Sequence, residues 1–180
     1  ELFTWADLGA EEKAAIRAAT LAEANGARLL AGTARLNQGI ARRNLGDPKA
    51  ALAIYEQARK LFSEARDPAG LASTINGMGN CKYDLGDLPG ARQSYEEVLR
   101  IYREVGNKRG EAGAIGNIAN VIGDQGDLAG GVRMAEQALV LFQEIGDGAG
   151  EAEQLNNIGA ALVMMGDIKG SRALFARAVP

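Results

Sequence analysis

The chain has 180 residues with a hydrophobic fraction of 47%, enough apolar material for a sizeable core, and this excludes a disordered polypeptide. A formal net charge of -3 with no block of like charges excludes the basic footprint of a nucleic-acid binder. One cysteine excludes an internal disulfide framework and agrees with a reducing compartment, and no apolar run reaches the ~20 residues that cross a bilayer, so the expected location is the cytoplasm.

A shift of 40 residues superimposes Gly46-Asp47, Gly86-Asp87, Gly126-Asp127 and Gly166-Asp167 without insertion or deletion. Residues 86–125 and 126–165 agree at 13 of 40 positions, where average residue usage gives roughly two or three. A fixed period of this size means stacked supersecondary units, none of which buries its apolar face without a neighbour. The chain reads as one array over residues 1–180: a partial repeat over 1–26, then repeats over 27–66, 67–106, 107–146 and 147–180.

In chain order, Phe3 falls on Tyr83 and Trp5 on Leu85, so the first residues read as the end of a first helix (A). Asp7 then reads as the N-cap of a second helix (B) through Ala15, Ile16, Leu21 and Ala24, stopped at Asn25-Gly26. Leu2, Phe3 and Trp5 are expected at a cut surface of a longer array. From Ala27 each repeat is complete: a helix A, a Gly-Asp turn, and a helix B with Asp47, Asp87, Asp127 or Asp167 as its cap. Asp67, Asn107 and Asp147 open the later A helices. The B helices carry apolar stripes at spacings of three and four, such as Ala51, Tyr55, Ala58, Leu61 and Phe62, and the expected inward set includes Leu85, Val105, Ile145, Val163, Ile168 and Phe175. The last helix is expected to be short, because Pro180 falls mid-helix and proline there costs about 3 kcal/mol.

Two columns of small residues, Gly39, Gly79, Ala119 and Gly159 on A helices and Ala51, Ala91, Gly131 and Ser171 on B helices, indicate close approach of backbones. Glu56 with Lys60 and Glu96 with Arg100 read as four-apart pairs on solvated faces.

The small residues of the helix A column, the small residue that follows near position twenty, the aromatics Tyr55, Tyr95 and Phe175, and Ala58, Val98, Ala138 and Ala178 together resemble the tetratricopeptide repeat (TPR). The run Glu111-Ala112 to Asn117-Ile118-Ala119-Asn120, followed by Gly126-Asp127-Leu128, is similar to its long 40-residue variety, as in spindle-orientation adaptors and bacterial TPR regulators. The resemblance covers essentially the whole chain. It departs at Ala135, where the aromatic is missing, and at Arg42 and Lys82, where the family often has Tyr. It implies an all-α fold, a right-handed TPR-type α-solenoid of antiparallel helix pairs with about four and a half repeats, and a peptide- or protein-binding scaffold without chemistry of its own.

The residues agree with a protein that is not an enzyme. There is no histidine, the commonest general base and metal ligand. Cys81 falls on Ala41, Val121 and Ala161, a small apolar position that suits a buried structural thiol. Gly77-Met78-Gly79 and the glycines of 146–150 follow no strand and read as packing and turn, not as phosphate loops. No catalytic residue, cofactor or metal is expected.

One stripe on the A helices is left over: Thr33, Asn37, Ile40 and Asn44; Ser73, Gly77, Asn80 and Asp84; Gly113, Asn117, Asn120 and Asp124; Glu153, Asn157, Ala160 and Met164. Asparagine is a poor helix former and aspartate in a last turn opposes the helix dipole, so stability does not account for the pattern. The expected partner-binding residues are Asn37, Asn44, Ser73, Asn80, Asp84, Asn117, Asn120, Asp124, Glu153 and Asn157. They suit an extended peptide segment with basic residues, the amides pairing with its backbone and the carboxylates with its charge. Two further readings remain open: a ligand- or signal-peptide-sensing domain that controls an attached output domain, and self-assembly through the repeat ends.

Overall fold

The computed structural model describes residues 5–178, apart from the side chains of Trp5 and Ala6, so the readings placed on Leu2, Phe3, Trp5 and Pro180 lie outside the described residues. Nine helices and no strand occur among the described residues: α1 (Trp5–Ala24), α2 (Arg28–Asn44), α3 (Pro48–Ala65), α4 (Pro68–Asp84), α5 (Leu88–Glu104), α6 (Lys108–Asp124), α7 (Leu128–Glu144), α8 (Gly148–Met164) and α9 (Ile168–Ala178). The even-numbered helices are the A helices of the repeat and the odd-numbered ones are the B helices.

The Gly-Asp pairs do two jobs in two residues. At the end of α4, the Gly86 N–H donates to Tyr83 O (2.9 Å) and the Asp87 N–H to Lys82 O (2.9 Å), which satisfies the last carbonyls of the helix. The Asp87 carboxylate then accepts from the Gly90 N–H at 3.0 Å and starts α5. This arrangement needs a left-handed residue, and glycine supplies it seven times, from Gly26 to Gly166, with φ between 67° and 98°. Arg66 takes the same place between α3 and α4 at φ 55°, the one non-glycine residue with positive φ among the described residues. Asp7 does not cap: the helix already runs from Trp5 and Asp7 lies in its first turn.

The chain divides into two compact units, Glu1–Glu97 and Val98–Pro180. In the first, α2 packs on α1 and α3, α3 packs on α4, and α2 also meets α4. Ala51, Tyr55, Met78 and Cys81 form a buried cluster edged by Leu36 and Leu52. In the second, α6 packs on α7, α7 on α8 and α8 on α9. One cluster there joins Ala112, Ile115, Ala138 and Phe142, and another joins Ala119, Ala135 and Ile158.

The helix A column of small residues is a set of seats for rings, which corrects the expectation of backbone against backbone. A Cβ built on Gly39 would stand 2.6 Å from the Tyr55 ring, one on Gly79 2.6 Å from Tyr95 and one on Gly159 2.7 Å from Phe175. Backbone approach does occur at Gly131, whose added Cβ would meet Ala119 O at 2.9 Å. The missing aromatic at Ala135 now has a counterpart, because its seat is Ala119 and not glycine, and the two alanines share one cluster. Large-on-glycine and alanine-on-alanine are two solutions to one volume constraint.

Some expected inward residues are exposed: Leu85, Val105 and Ile145, each immediately before a left-handed glycine, lie on the rim of a turn outside the helix–helix stripe. Ile16, Leu21, Val163, Ile168 and Phe175 are exposed as well, on faces of α1, α8 and α9 that no described helix covers. Glu96 pairs with Arg92 at 2.8 Å and not with Arg100.

Two outcomes follow. Ala135→Tyr alone should lower stability by about 1 to 3 kcal/mol through overpacking against the Ala119 methyl, and adding Ala119→Gly should recover most of that loss. A double-mutant cycle by urea melts checks the coupling, and additive effects would refute the seat. Arg66→Gly should stabilise by up to about 1 kcal/mol by relieving left-handed strain, whereas Arg66→Ala should not; thermal melts of both variants decide it.

Candidate functional site

The polar stripe is a surface on helices whose other sides are buried. In α2 of the first unit, Thr33, Asn37, Ile40 and Asn44 are exposed while Ala31, Ala34, Gln38 and Ala41 are buried. In α4, Ser73 is exposed, but Gly77 is buried beneath the Tyr55 ring, 2.6 Å from where its Cβ would stand. Asn80 is half-buried, and its Oδ1 accepts from the Tyr95 hydroxyl at 2.8 Å. That bond occupies the carbonyl and leaves the N–H pair of Asn80 as its donors.

Asp84 is exposed but already partnered. Arg43 Nε donates to Asp84 Oδ2 at 2.6 Å and Nη2 to Oδ1 at 3.1 Å, a two-point bridge from α2 to α4. The hydrogen bond to Asp84 raises the Arg43 pKa against the opposing effect of burial. The charge of Asp84 is therefore largely offset, and its first role is to tie two consecutive A helices together.

In the second unit, α6 presents Asn117 half-buried and Asn120 and Asp124 exposed, between buried Ala114, Ile115, Ile118 and Val121. Asn117 and Asp124 also take part in interactions within the protein. On α8, Glu153 and Ala160 are exposed, Asn157 is half-buried and Met164 is exposed. Each unit thus carries its own part of the stripe: Asn37, Asn44, Ser73, Asn80 and Asp84 in the first, Asn117, Asn120, Asp124, Glu153 and Asn157 in the second.

Arg43 was not singled out in the sequence, and the buried Tyr95 was read there only as a packing aromatic, yet both hold polar residues of this surface. Their partners lie 41 and 15 residues away, so only the register between helices brings them together. Cys81 beneath the stripe is buried, and burial pushes its thiol up to about 11, which keeps it protonated and unreactive. Burial likewise pushes the Tyr55 and Tyr95 phenols upward. The described residues contain no group of three His, Cys, Asp or Glu able to hold a metal ion and no helix long and apolar enough to cross a membrane.

Residues 30–104 match the family model described as tetratricopeptide repeat. Over those residues the chain carries tetratricopeptide repeats. Among solved structures it is similar to BtubC (BKLC) from P. vanneervenii, with a TM-score of 0.80 and 21% identity over 95% of this chain and 72% of that one. It is also similar to the apo form of RapI, with a TM-score of 0.78 and 13% identity over 93% of this chain and 63% of that one. A signal transduction ATPase with numerous domains from Pyrococcus horikoshii, with a tetratricopeptide repeat sensor, gives 0.73 and 13% over 84% of this chain and 24% of that one. Identities this low carry the helical-repeat fold and nothing finer. No curated protein matches the chain. Tetratricopeptide repeats imply a protein-interaction scaffold, a role that needs no reactive group.

On another side of α6, the helical scaffold buries a carboxylate. Glu111 Oε1 accepts from Arg103 Nε at 2.8 Å and Oε2 from Lys108 Nζ at 2.9 Å. The hydrogen bond from Arg103, then that from Lys108, hold its pKa below the usual carboxylate value, against desolvation. The folded value lies below the unfolded one, so this pairing contributes stability above the unfolded carboxylate's pKa, and the contribution is lost as pH falls through the folded value. Glu111→Gln should lower Tm at neutral pH, and the gap to wild type should close as pH is lowered from 7 toward 3. A gap that stays constant over that range would show that the charge of Glu111 contributes nothing.

Proposed function

We propose that this protein is a non-catalytic scaffold whose A-helix surfaces hold an extended peptide segment of a partner protein, as the adaptor or regulatory arm of a larger cytoplasmic polypeptide. The observation that supports it is the stripe itself: asparagines on α2, α4, α6 and α8 stay at the surface on helices whose flanking residues are buried. An amide that donates and accepts suits the alternating N–H and C=O of an extended backbone, which gives affinity with little demand on side-chain sequence.

Asp84 refines the charge reading. With its carboxylate bridged to Arg43, a preference for basic residues rests on Glu153, exposed on α8 of the second unit, while the first unit contributes amides. A second reading, a sensor that controls an attached output domain, draws support from the likeness to a chain described as a tetratricopeptide repeat sensor.

A displayed library of random, proline-tolerant peptides is the probe. Selected peptides should bind without gaining helicity, and Asn120→Ala or Asn157→Ala should each weaken them by up to about tenfold, the effect of one net hydrogen bond of roughly 0.5 to 1.5 kcal/mol. Glu153→Lys should slow association most at low salt. Selected peptides that bind all three variants like wild type would place recognition elsewhere.

A further inference from the structure

In one of the four A–B pairs a ring hydroxyl meets an amide of the stripe. The ring positions of the B helices hold Tyr55, Tyr95, Ala135 and Phe175, and the stripe positions 15 residues before them hold Ile40, Asn80, Asn120 and Ala160. Tyr55 has a hydroxyl but faces no amide position, Ala135 brings no hydroxyl to Asn120, and Phe175 and Ala160 have neither group. Tyr95 and Asn80 have both, and the Tyr95 hydroxyl donates to Asn80 Oδ1 at 2.8 Å.

That bond selects one orientation of the amide. Tyr95 is 3% exposed, its ring held against Gly79 at 2.6 Å from where a Cβ would stand, and burial keeps its phenol protonated. If the Asn80 amide turned over, the buried hydroxyl would lose its acceptor, which costs more than the bond itself contributes. Asn80 is half-buried, so the part of it left for a partner is the N–H pair. The charge beside it is balanced, because Asp84, one turn further along α4, is bridged by Arg43 at 2.6 and 3.1 Å. A partner's carboxylate here would meet Asp84 and a partner's cation would meet Arg43, so the acceptor that suits Asn80 is neutral.

We infer that Tyr95 is a positioning residue: its hydroxyl fixes the Asn80 amide with the N–H pair outward, so that the first unit reads a backbone carbonyl of the extended segment. This rests on the extended-peptide reading of the stripe. Asn120, whose counterpart ring is missing at Ala135, is not fixed in this way and can offer either end of its amide.

The fixed amide is read without a ligand, from the heteronuclear NOE of side-chain amides in isotope-labelled protein. Asn80 should be as rigid as the helix backbone in wild type and should lose that rigidity in Tyr95→Phe, which keeps the ring in its seat; Asn120 should be mobile in both. Recognition of the carbonyl is tested by anisotropy with fluorescein-labelled peptides selected on the intact wild-type protein from the displayed library. Asn80→Asp still accepts from Tyr95 but offers no donor, and should weaken binding at least about tenfold and more than Asn80→Ala does. Tyr95→Phe should weaken it about threefold, and should have no effect in an Asn80→Ala background, with folding confirmed by melting. An Asn80 NOE unchanged by Tyr95→Phe, or a Tyr95→Phe effect that persists in the Asn80→Ala background, would overturn the inference. Peptides that Asn120→Ala weakens and Asn80→Asp does not would overturn it alone and leave the extended-peptide reading standing. A selection that yields no binder, or binders indifferent to both changes, would overturn that reading as well.

Discussion

An aromatic ring from a B helix fits into a glycine seat on an A helix, and that fit sets how closely neighbouring helices approach. Tyr55 is 1% exposed because it has two seats, Gly39 on α2 and Gly77 on α4, each with room for the ring only because no Cβ is present. Phe62 does the same with Gly32 and Gly70. A buried aromatic removes about 150 to 250 Å² from water, worth roughly 4 to 6 kcal/mol as an upper bound. Glycine within a helix costs about 1 kcal/mol per site against alanine. The ring outweighs both of its seats, so a helix-weakening residue recurs where the fold is tightest.

This exchange explains how much of the fold could be read from the sequence. The 40-residue period and the Gly-Asp pairs are local signals, and each turn they mark ends one helix and starts the next as the hydrogen bonds of Gly86, Asp87 and Gly90 show. The glycine column was legible as a packing device, but its partner was not, because a missing side chain names no neighbour. The pairing of Ala119 with Ala135 is legible in the same alignment as a matched change of size. Leu85, Val105 and Ile145 show the limit of periodicity at helix ends: an apolar residue before a left-handed glycine keeps the phase of the stripe, but the chain turns away before that phase can bury it.

The candidate site was legible as a face and less so as chemistry. Spacings of four, three and four place Asn37, Asn80, Asn120 and Asn157 on the A-helix surface without any tertiary information. What each side chain is free to do depends on neighbours far along the chain. Arg43 bridges to Asp84 and Tyr95 donates to Asn80, so a carboxylate and half an amide that look available in the sequence are committed to holding helices in register. Glu111 was missed although its partners are near, Lys108 three and Arg103 eight residues away, because only the folded turn between α5 and α6 makes the two converge on it.

The seats also show how one repeat depends on the next. Phe175 rests on Gly159 much as Tyr55 rests on Gly39, yet it is 37% exposed where Tyr55 is 1% exposed. The difference is the second seat: Tyr55 has Gly77 on its other side, and no described helix lies over the other side of Phe175. Burial of a ring is thus shared between the A helix of its own repeat and the A helix of the following one, and each supplies part of the stabilisation. A fold assembled from shared halves of this kind has energies that run from neighbour to neighbour. Apolar surface then collects at interfaces lacking a second seat, which is where Phe175 and Ile168 on α9, and Leu21 on α1, are exposed.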